Sequence, residues 1–231
     1  MMIIGNLKML MTANDVSNYL KQMGDIGPNV VVCPTSIYIP YFLRRKYQVG
    51  LQNIAEEDNA LSTGGICARQ AVSLNIKYTL VGHFDLNETN EVKNKKINEA
   101  LKYNMVPILC IGETKKEKNI SKVKKIIFNQ LKEILNSTLV NKIIIAYEPI
   151  WAIGSNDLPS NKEIEEIALY IKESVSKLFK SDIKVIYGGS IHKENINKIR
   201  EIENIDGILI GEASTNPLEF KEIIDSYFRQ N

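Results

Sequence analysis

The stretch KIIIAYEPIWAIGSN, residues 142 to 156, runs an apolar strand-like segment straight into a carboxylate, a proline and the chain's only tryptophan. Glu148 and Pro149 are poor strand residues, so the strand pattern ends there. An acid at the end of an apolar strand is either incidental or placed for chemistry. The apolar part is continuous rather than alternating, as expected for a parallel strand covered on both faces. Seven similar runs occur along the chain: Met2-Ile3-Ile4, Val30-Val31-Val32-Cys33, Val49-Gly50-Leu51, Tyr78-Thr79-Leu80-Val81, Val106 to Ile111, Lys184-Val185-Ile186-Tyr187 and Gly207-Ile208-Leu209-Ile210.

Segments with helical spacing lie between them. Residues 160 to 180 are the clearest, with Ile164, Ile167, Ala168, Ile171, Val175 and Leu178 at steps of three or four. Ser160 followed by Glu163 forms a capping box at the start. Weaker patterns cover about 12–23, 36–46, 66–74, 90–103, 117–135, 192–200 and 216–228. Eight strand–helix units in 231 residues predict an α/β fold, a (β/α)8 barrel forming one domain over 1–231. A doubly wound open sheet is the alternative, but eight regular units without a composition break favour closure.

The bulk numbers bound the function. Apolar residues make up 44% and charged residues 24%, and 29 basic against 27 acidic residues leave a net charge of +2. That balance gives no reason to expect nucleic acid or an acidic membrane as partner. The run Lys115-Lys116-Glu117-Lys118 reads as a solvated helix face. Three cysteines, Cys33, Cys67 and Cys110, have no metal-ligand spacing, and a reducing, cytoplasmic setting is the simplest expectation. Residues 1–10 lack a signal-peptide pattern, and no window approaches the roughly 18 apolar residues of a membrane span.

In such a barrel the residues just past the C-terminal strand ends face the active site. Those positions hold Asn6 and Lys8, His83, Glu148, Tyr187-Gly188-Gly189-Ser190 and Gly211-Glu212. A carboxylate base, a neutral electrophile and glycine turns that cradle phosphate are what proton transfer beside a carbonyl in a phosphorylated substrate requires. From position alone, Glu148 could equally be a helix-capping acid.

At these residues the chain resembles the triosephosphate isomerase family. The matching stretches are GNLKM (5–9), LQN (51–53), STGG (62–65), VGH (81–83), ETNEVKNKK (88–96), PILCIGET (107–114), AYEPIWAIGSN (146–156), YGGS (187–190) and DGILIGEAS (206–214), in family order. The resemblance implies interconversion of dihydroxyacetone phosphate and glyceraldehyde 3-phosphate, in glycolysis and gluconeogenesis. It implies that Glu148 moves the proton between the two carbons and that His83, as a neutral imidazole near a helix start, hydrogen-bonds the substrate oxygens. Lys8 would hold the phosphate and offset the enediolate charge, with Asn6 bracing it. Gly154, Ser190, Gly211 and Glu212 would offer backbone N–H groups to the phosphate. Pro149 and Trp151 would form a stiff hinge before a lid of Ala152, Ile153, Gly154 and Ser155, latched by the hydroxyls of Tyr187 and Ser190. His192 is given no role. The resemblance further implies a homodimer in which a loop carrying Thr63 and Gly64 inserts beside the partner's Lys8. Neither metal nor organic cofactor is implied, because proton chemistry needs none.

Four positions depart from the family pattern. Leu7 replaces a tryptophan, which predicts a change in packing only. After His83 the chain is about four residues shorter and lacks the usual Ser and two Arg, and whether Asp85 stands in for the usual Glu is left open. Gly65 replaces a Glu whose Arg partner is also missing, so restoring only Gly65→Glu is expected to cost stability. Glu212 replaces a glycine in the last phosphate turn. A barrel that binds a phosphorylated ligand or a partner without turnover is the competing reading, favoured by segment 84–87. A related isomerase acting on a longer phosphorylated sugar is a third, for which the short loops leave little room.

Overall fold

A computed structural model describes residues 1–58, 63–114, 119–136, 139–155 and 157–229. The lysine run 115–118, the first residues of the helical pattern expected from 117, Ser62 and Asn156 lie outside the described residues. Each of the eight apolar runs contains a strand: β1 Met2–Asn6, β2 Val30–Cys33, β3 Gln48–Leu51, β4 Tyr78–Val81, β5 Val106–Ile111, β6 Ile144–Tyr147, β7 Lys184–Gly189 and β8 Gly207–Ile210. They pair in chain order, all parallel, and β1 closes on β8 with Ile3 opposite Ile208. This is a closed (β/α)8 barrel, not an open sheet.

Successive side chains of a strand point to opposite faces, and here both faces are buried. Ile4, Val31, Leu80, Ile108, Ala146, Ile186 and Leu209 fill the barrel interior together with the thiols of Cys33 and Cys110. Their neighbours Ile3, Val30, Val32, Val81, Leu109, Ile145 and Ile208 pack outward against the helices. Leu7 joins that outer layer at 1% exposure, so its replacement of tryptophan is a matter of packing.

The helices are α1 Ala13–Met23, α2 Ile39–Leu43, α3 Ala68–Ser73, α4 Asn90–Lys102, α5 Ile120–Ile134, α6 Asn161–Phe179, α7 Ile196–Ile199 and α8 Pro217–Phe228. The capping box before α6 forms as its spacing predicts, with Ser160 and Glu163 each accepting from the other's backbone N–H. Two helices are shorter than their sequence patterns. The 36–46 pattern splits into a 3-10 turn, Ser36–Tyr38, and α2, because Pro40 has no N–H to donate and belongs in a first helical turn. The 192–200 pattern shrinks to α7 because Asn195 takes over local hydrogen bonding: its side chain accepts from the His192 N–H and donates to the Ser190 carbonyl. No helix among the described residues is long and apolar enough to cross a membrane.

Candidate active site

The C-terminal strand ends bring Asn6, Lys8, His83, Glu148, Ser190, Gly211 and Glu212 around one cavity of about 430 Å³. Glu148 follows β6 and is 5% exposed. Its backbone N–H donates to the Ile111 carbonyl at 2.8 Å, extending the β5–β6 pairing by one residue and fixing where the carboxylate leaves the barrel. Two glycines make room for it. A Cβ on Gly112 would lie 1.8 Å from the Glu148 carbonyl oxygen, and one on Gly188 would lie 2.8 Å from Glu148 Cγ.

Burial pushes the Glu148 carboxyl above the ordinary carboxylate range. His83, a hydrogen bond from the Cys110 thiol, and Lys8 pull against burial without cancelling it. Glu148 Oε2 is buried with no hydrogen-bond partner among the described residues. An ionised oxygen left bare in a dry site is a strong base, because no donor must be stripped from it before it takes a proton. Glu148 Oε1 lies 3.7 Å from His83 Nε2.

His83 is also buried, at 6% exposure. It leads into a 3-10 turn of only three residues, Phe84–Leu86, which has too few aligned peptides for the helix-dipole argument made from the sequence. Its other nitrogen, Nδ1, lies 2.6 Å from Asp85 Oδ1. The turn ends at Asn87 in the left-handed region, φ 50°, which lets a short connection reach Thr89, the N-cap of α4. This decides what the sequence left open about Asp85: its carboxylate reaches the imidazole, whereas Lys8 Nζ lies over the Phe84 ring, 5.8 Å from its centroid.

Lys8 sits two residues past β1 at φ 51°, a strained setting for a side chain of its size. Three neighbours hold it there. Asn6 Oδ1 accepts from the Lys8 N–H at 3.1 Å, and the Lys8 carbonyl accepts from Thr35 Oγ1 at 2.8 Å and Gln52 Nε2 at 2.7 Å. Asn6 therefore braces the backbone of Lys8. The Lys8 stem approaches Gly211, where a Cβ would meet Lys8 Cε at 3.3 Å.

The phosphate side differs in detail from the sequence expectation. β7 runs through Gly189, so most of YGGS is strand and only Ser190 lies beyond it. No helix starts there, since α7 waits until Ile196. Gly211 precedes a 3-10 turn, Glu212–Thr215, and Glu212 is exposed at the cavity rim. The backbone N–H groups at these positions belong to loops and a 3-10 turn, not to full helices.

Comparison with known proteins fits this geometry. The family model described as triosephosphate isomerase matches residues 1–227. The chain belongs to the triosephosphate isomerase family. It is 33% identical to the triosephosphate isomerase of Dictyoglomus thermophilum over 97% of this chain and 98% of that protein. Against the triosephosphate isomerase of Francisella philomiragia the identity is 33% over 97% and 96%, and against that of Mycoplasmopsis agalactiae it is 30% over 96% and 94%.

Two further parts of the triosephosphate isomerase resemblance can be located. Ile150–Ala152 form a 3-10 turn after Pro149, with Trp151 and Ala152 buried, then Ile153, Gly154 at φ 64° and Ser155. Tyr187 is buried, its hydroxyl lying against Gly189 and its ring against Tyr147 at 6.4 Å. Neither the Tyr187 nor the Ser190 hydroxyl bonds to residues 152–155 here. Thr63 and Gly64 are exposed, and Gly64 lines a groove of about 920 Å³ that runs from Lys8 and His83 to Lys96. Met9, 87% exposed, and Leu86, 40% exposed, flank the same groove.

Glu113 was missed from the sequence. It is 2% exposed, and Oε1 accepts from Trp151 Nε1 at 2.8 Å and from the Tyr147 hydroxyl at 3.3 Å. The signal was present, since Glu113 is a carboxylate just past an apolar strand, the same pattern that singled out Glu148. Among the described residues no group of three or more His, Cys, Asp or Glu is placed to hold a metal ion.

Proposed function

We propose that this protein interconverts dihydroxyacetone phosphate and D-glyceraldehyde 3-phosphate by proton transfer through an enediolate. The observation that carries this reading is Glu148: a buried carboxylate of raised basicity on the wall of the cavity that also holds His83 and Lys8. Glu148 takes the proton from the carbon beside the carbonyl and returns it to the neighbouring carbon. His83, 3.7 Å away, serves the two substrate oxygens. Lys8 binds the phosphate and offsets the negative charge that grows on the enediolate, worth most in a site that excludes water. Gly154, Ser190, Gly211 and Glu212 supply backbone N–H groups to the phosphate. Pro149 and Trp151 stiffen the approach to a lid of Ala152, Ile153, Gly154 and Ser155, which closes with Tyr187 and Ser190 as latch and keeps water from the enediolate.

A homodimer belongs to the same proposal, the Thr63-Gly64 loop entering the groove beside the partner's Lys8. The exposed Met9 and Leu86 on that groove support it. The three free, buried thiols of Cys33, Cys67 and Cys110 suit a reducing cytoplasm. No observation favours the reading of a barrel that only binds.

The test is a coupled assay of glyceraldehyde 3-phosphate isomerisation with Glu148→Gln as control. Strong turnover that drops by about 10²–10⁴-fold in the variant supports the assignment. No turnover in the folded wild-type protein would overturn it.

A further inference from the structure

The stem of Lys93, in α4, passes close against the backbone just before His83. A Cβ on Gly82, at φ 73°, would lie 2.7 Å from Lys93 Cδ and Cε, so glycine keeps that passage open. Lys93 is half-buried, and among the described residues its ammonium has no hydrogen-bond or ion-pair partner. It lines a second, small cavity of about 40 Å³, to which Glu148 also belongs. Gln130 lines this cavity too. Its Nε2 donates to the Gly112 carbonyl at 3.0 Å, which fixes the orientation of the amide and leaves Oε1 buried without a donor. A bare ammonium and a bare amide oxygen around one cavity are complementary. A water needs only about 10–15 Å³ of such space, so one fits between them.

Burial pulls Lys93 below the ordinary lysine range, opposed by Cys110 on β5, Glu88 ahead of α4 and Glu148 past β6. Glu88 is already paired with Lys96. Glu148 has no lysine within ion-pair distance among the described residues. The groups that act on it most are His83 and Asp85 after β4, Cys110, and Lys8 after β1. Lys8 lines the larger cavity, where the phosphate of the substrate takes up its charge, and Lys93 does not.

We propose that Lys93 is a positioning residue for the base: held on Gln130 Oε1, its ammonium is a counter-charge to Glu148 that persists when the substrate occupies Lys8. The inference rests on the isomerase reading above and adds to it a residue outside the substrate cavity. A base in a site that excludes water must be ionised when it meets its proton. A cation several ångströms away favours the ionised form without covering the oxygen that reacts. Removing that cation leaves burial less opposed, so the carboxyl keeps its proton to higher pH.

Lys93→Met keeps an unbranched apolar stem and removes the charge, and Lys93→Gln is a second neutral form should the first fail to fold. In ¹³C spectra of glutamate-labelled protein, the Glu148 carboxyl is the signal missing from Glu148→Gln. It is expected to titrate roughly 0.5–1 pH unit higher in both neutral variants, and at the wild-type position in Lys93→Arg. The acid limb of kcat/KM reports the base of the free enzyme and should move with it, a loss of about three- to tenfold in acid that fades at alkaline pH. The titration of the substrate phosphate is common to every variant and cancels in the comparison. A Glu148 signal that titrates unchanged in the neutral variants would overturn the proposal. So would a loss of turnover equal at every pH, which marks a packing role. Absence of turnover in the wild type would count against the isomerase reading, while the carboxyl titration still decides Lys93.

Discussion

Trp151 Nε1 donates to Glu113 Oε1 at 2.8 Å, joining the turn that follows the catalytic strand β6 to the end of β5. A second bond runs alongside it, from the Ile150 N–H to the Glu113 carbonyl at 2.9 Å. The fixed end of the proposed lid is therefore pinned through both backbone and side chain, and the segment free to swing starts after Ala152.

Trp151→Phe keeps most of the apolar ring and removes the indole N–H. It leaves a buried carboxylate oxygen with one donor fewer, which costs about 1–3 kcal/mol. The melting temperature should fall and kcat should drop more than affinity for substrate, because the lid's fixed end loosens. Calorimetry together with steady-state kinetics checks both. Unchanged stability would show that the indole bond contributes nothing.

Glu148→Gln should stabilise the fold at neutral pH while lowering turnover by about 10²–10⁴-fold. Burial raises the folded-state carboxyl above its ordinary 4.5, so the unfolded chain ionises first as pH rises. The site's contribution is then fully present below about 4.5 and is lost as pH climbs through the folded value. The amide cannot ionise and escapes that loss. Urea titrations across pH should show a gain for the variant at pH 7 that vanishes in acid. A variant less stable than wild type at pH 7 would contradict the assignment of burial as the dominant cause.

Glu212→Gly removes a carboxylate from the exposed rim of the cavity proposed to bind the phosphate. Like-charge repulsion across a solvated rim is worth roughly 0.2–1 kcal/mol, so KM for a dianionic substrate should fall by no more than a few-fold. The effect should shrink with added salt, because exposed charges are screened. Kinetics at two ionic strengths test it, and a KM that rises would show that the side chain assists the turn.

Gly65→Glu bears on the proposed dimer. From the sequence this change is expected to strand an unpaired charge. In the folded chain, however, Gly65 is exposed and a Cβ there meets only Ala55 at 3.6 Å. A glutamate reaches water, so the isolated barrel should change by no more than about 0.5 kcal/mol. Any larger loss belongs to the interface, where the loop is covered by the partner. Sedimentation equilibrium should therefore show weaker association, and the melting temperature should differ from wild type by an amount that depends on protein concentration. Equal association of both proteins would argue against insertion of this loop.

The barrel was legible because its signal is local and repeated. A parallel strand buried on both faces is apolar at every residue, so Val30 to Cys33 or Ile144 to Tyr147 declare themselves without knowledge of their neighbours. Once eight such strands are placed, the positions just past their ends follow by counting, and Asn6, Lys8, His83 and Glu148 were reached in that way. Their gathering around one cavity follows from closure of the sheet. What the tertiary structure alone decided are contacts that depend on where side chains from distant segments meet. The Trp151–Glu113 bond spans 38 positions, and the bond from Gln52 that steadies Lys8 spans 44. Even Asp85, two residues from His83, could have turned toward Lys8, and a rotamer on a shortened turn sent it to the imidazole instead. Composition and spacing record which faces are buried. They do not record which of two available cations or rings a short carboxylate reaches, because that is set by fractions of an ångström in the closed fold.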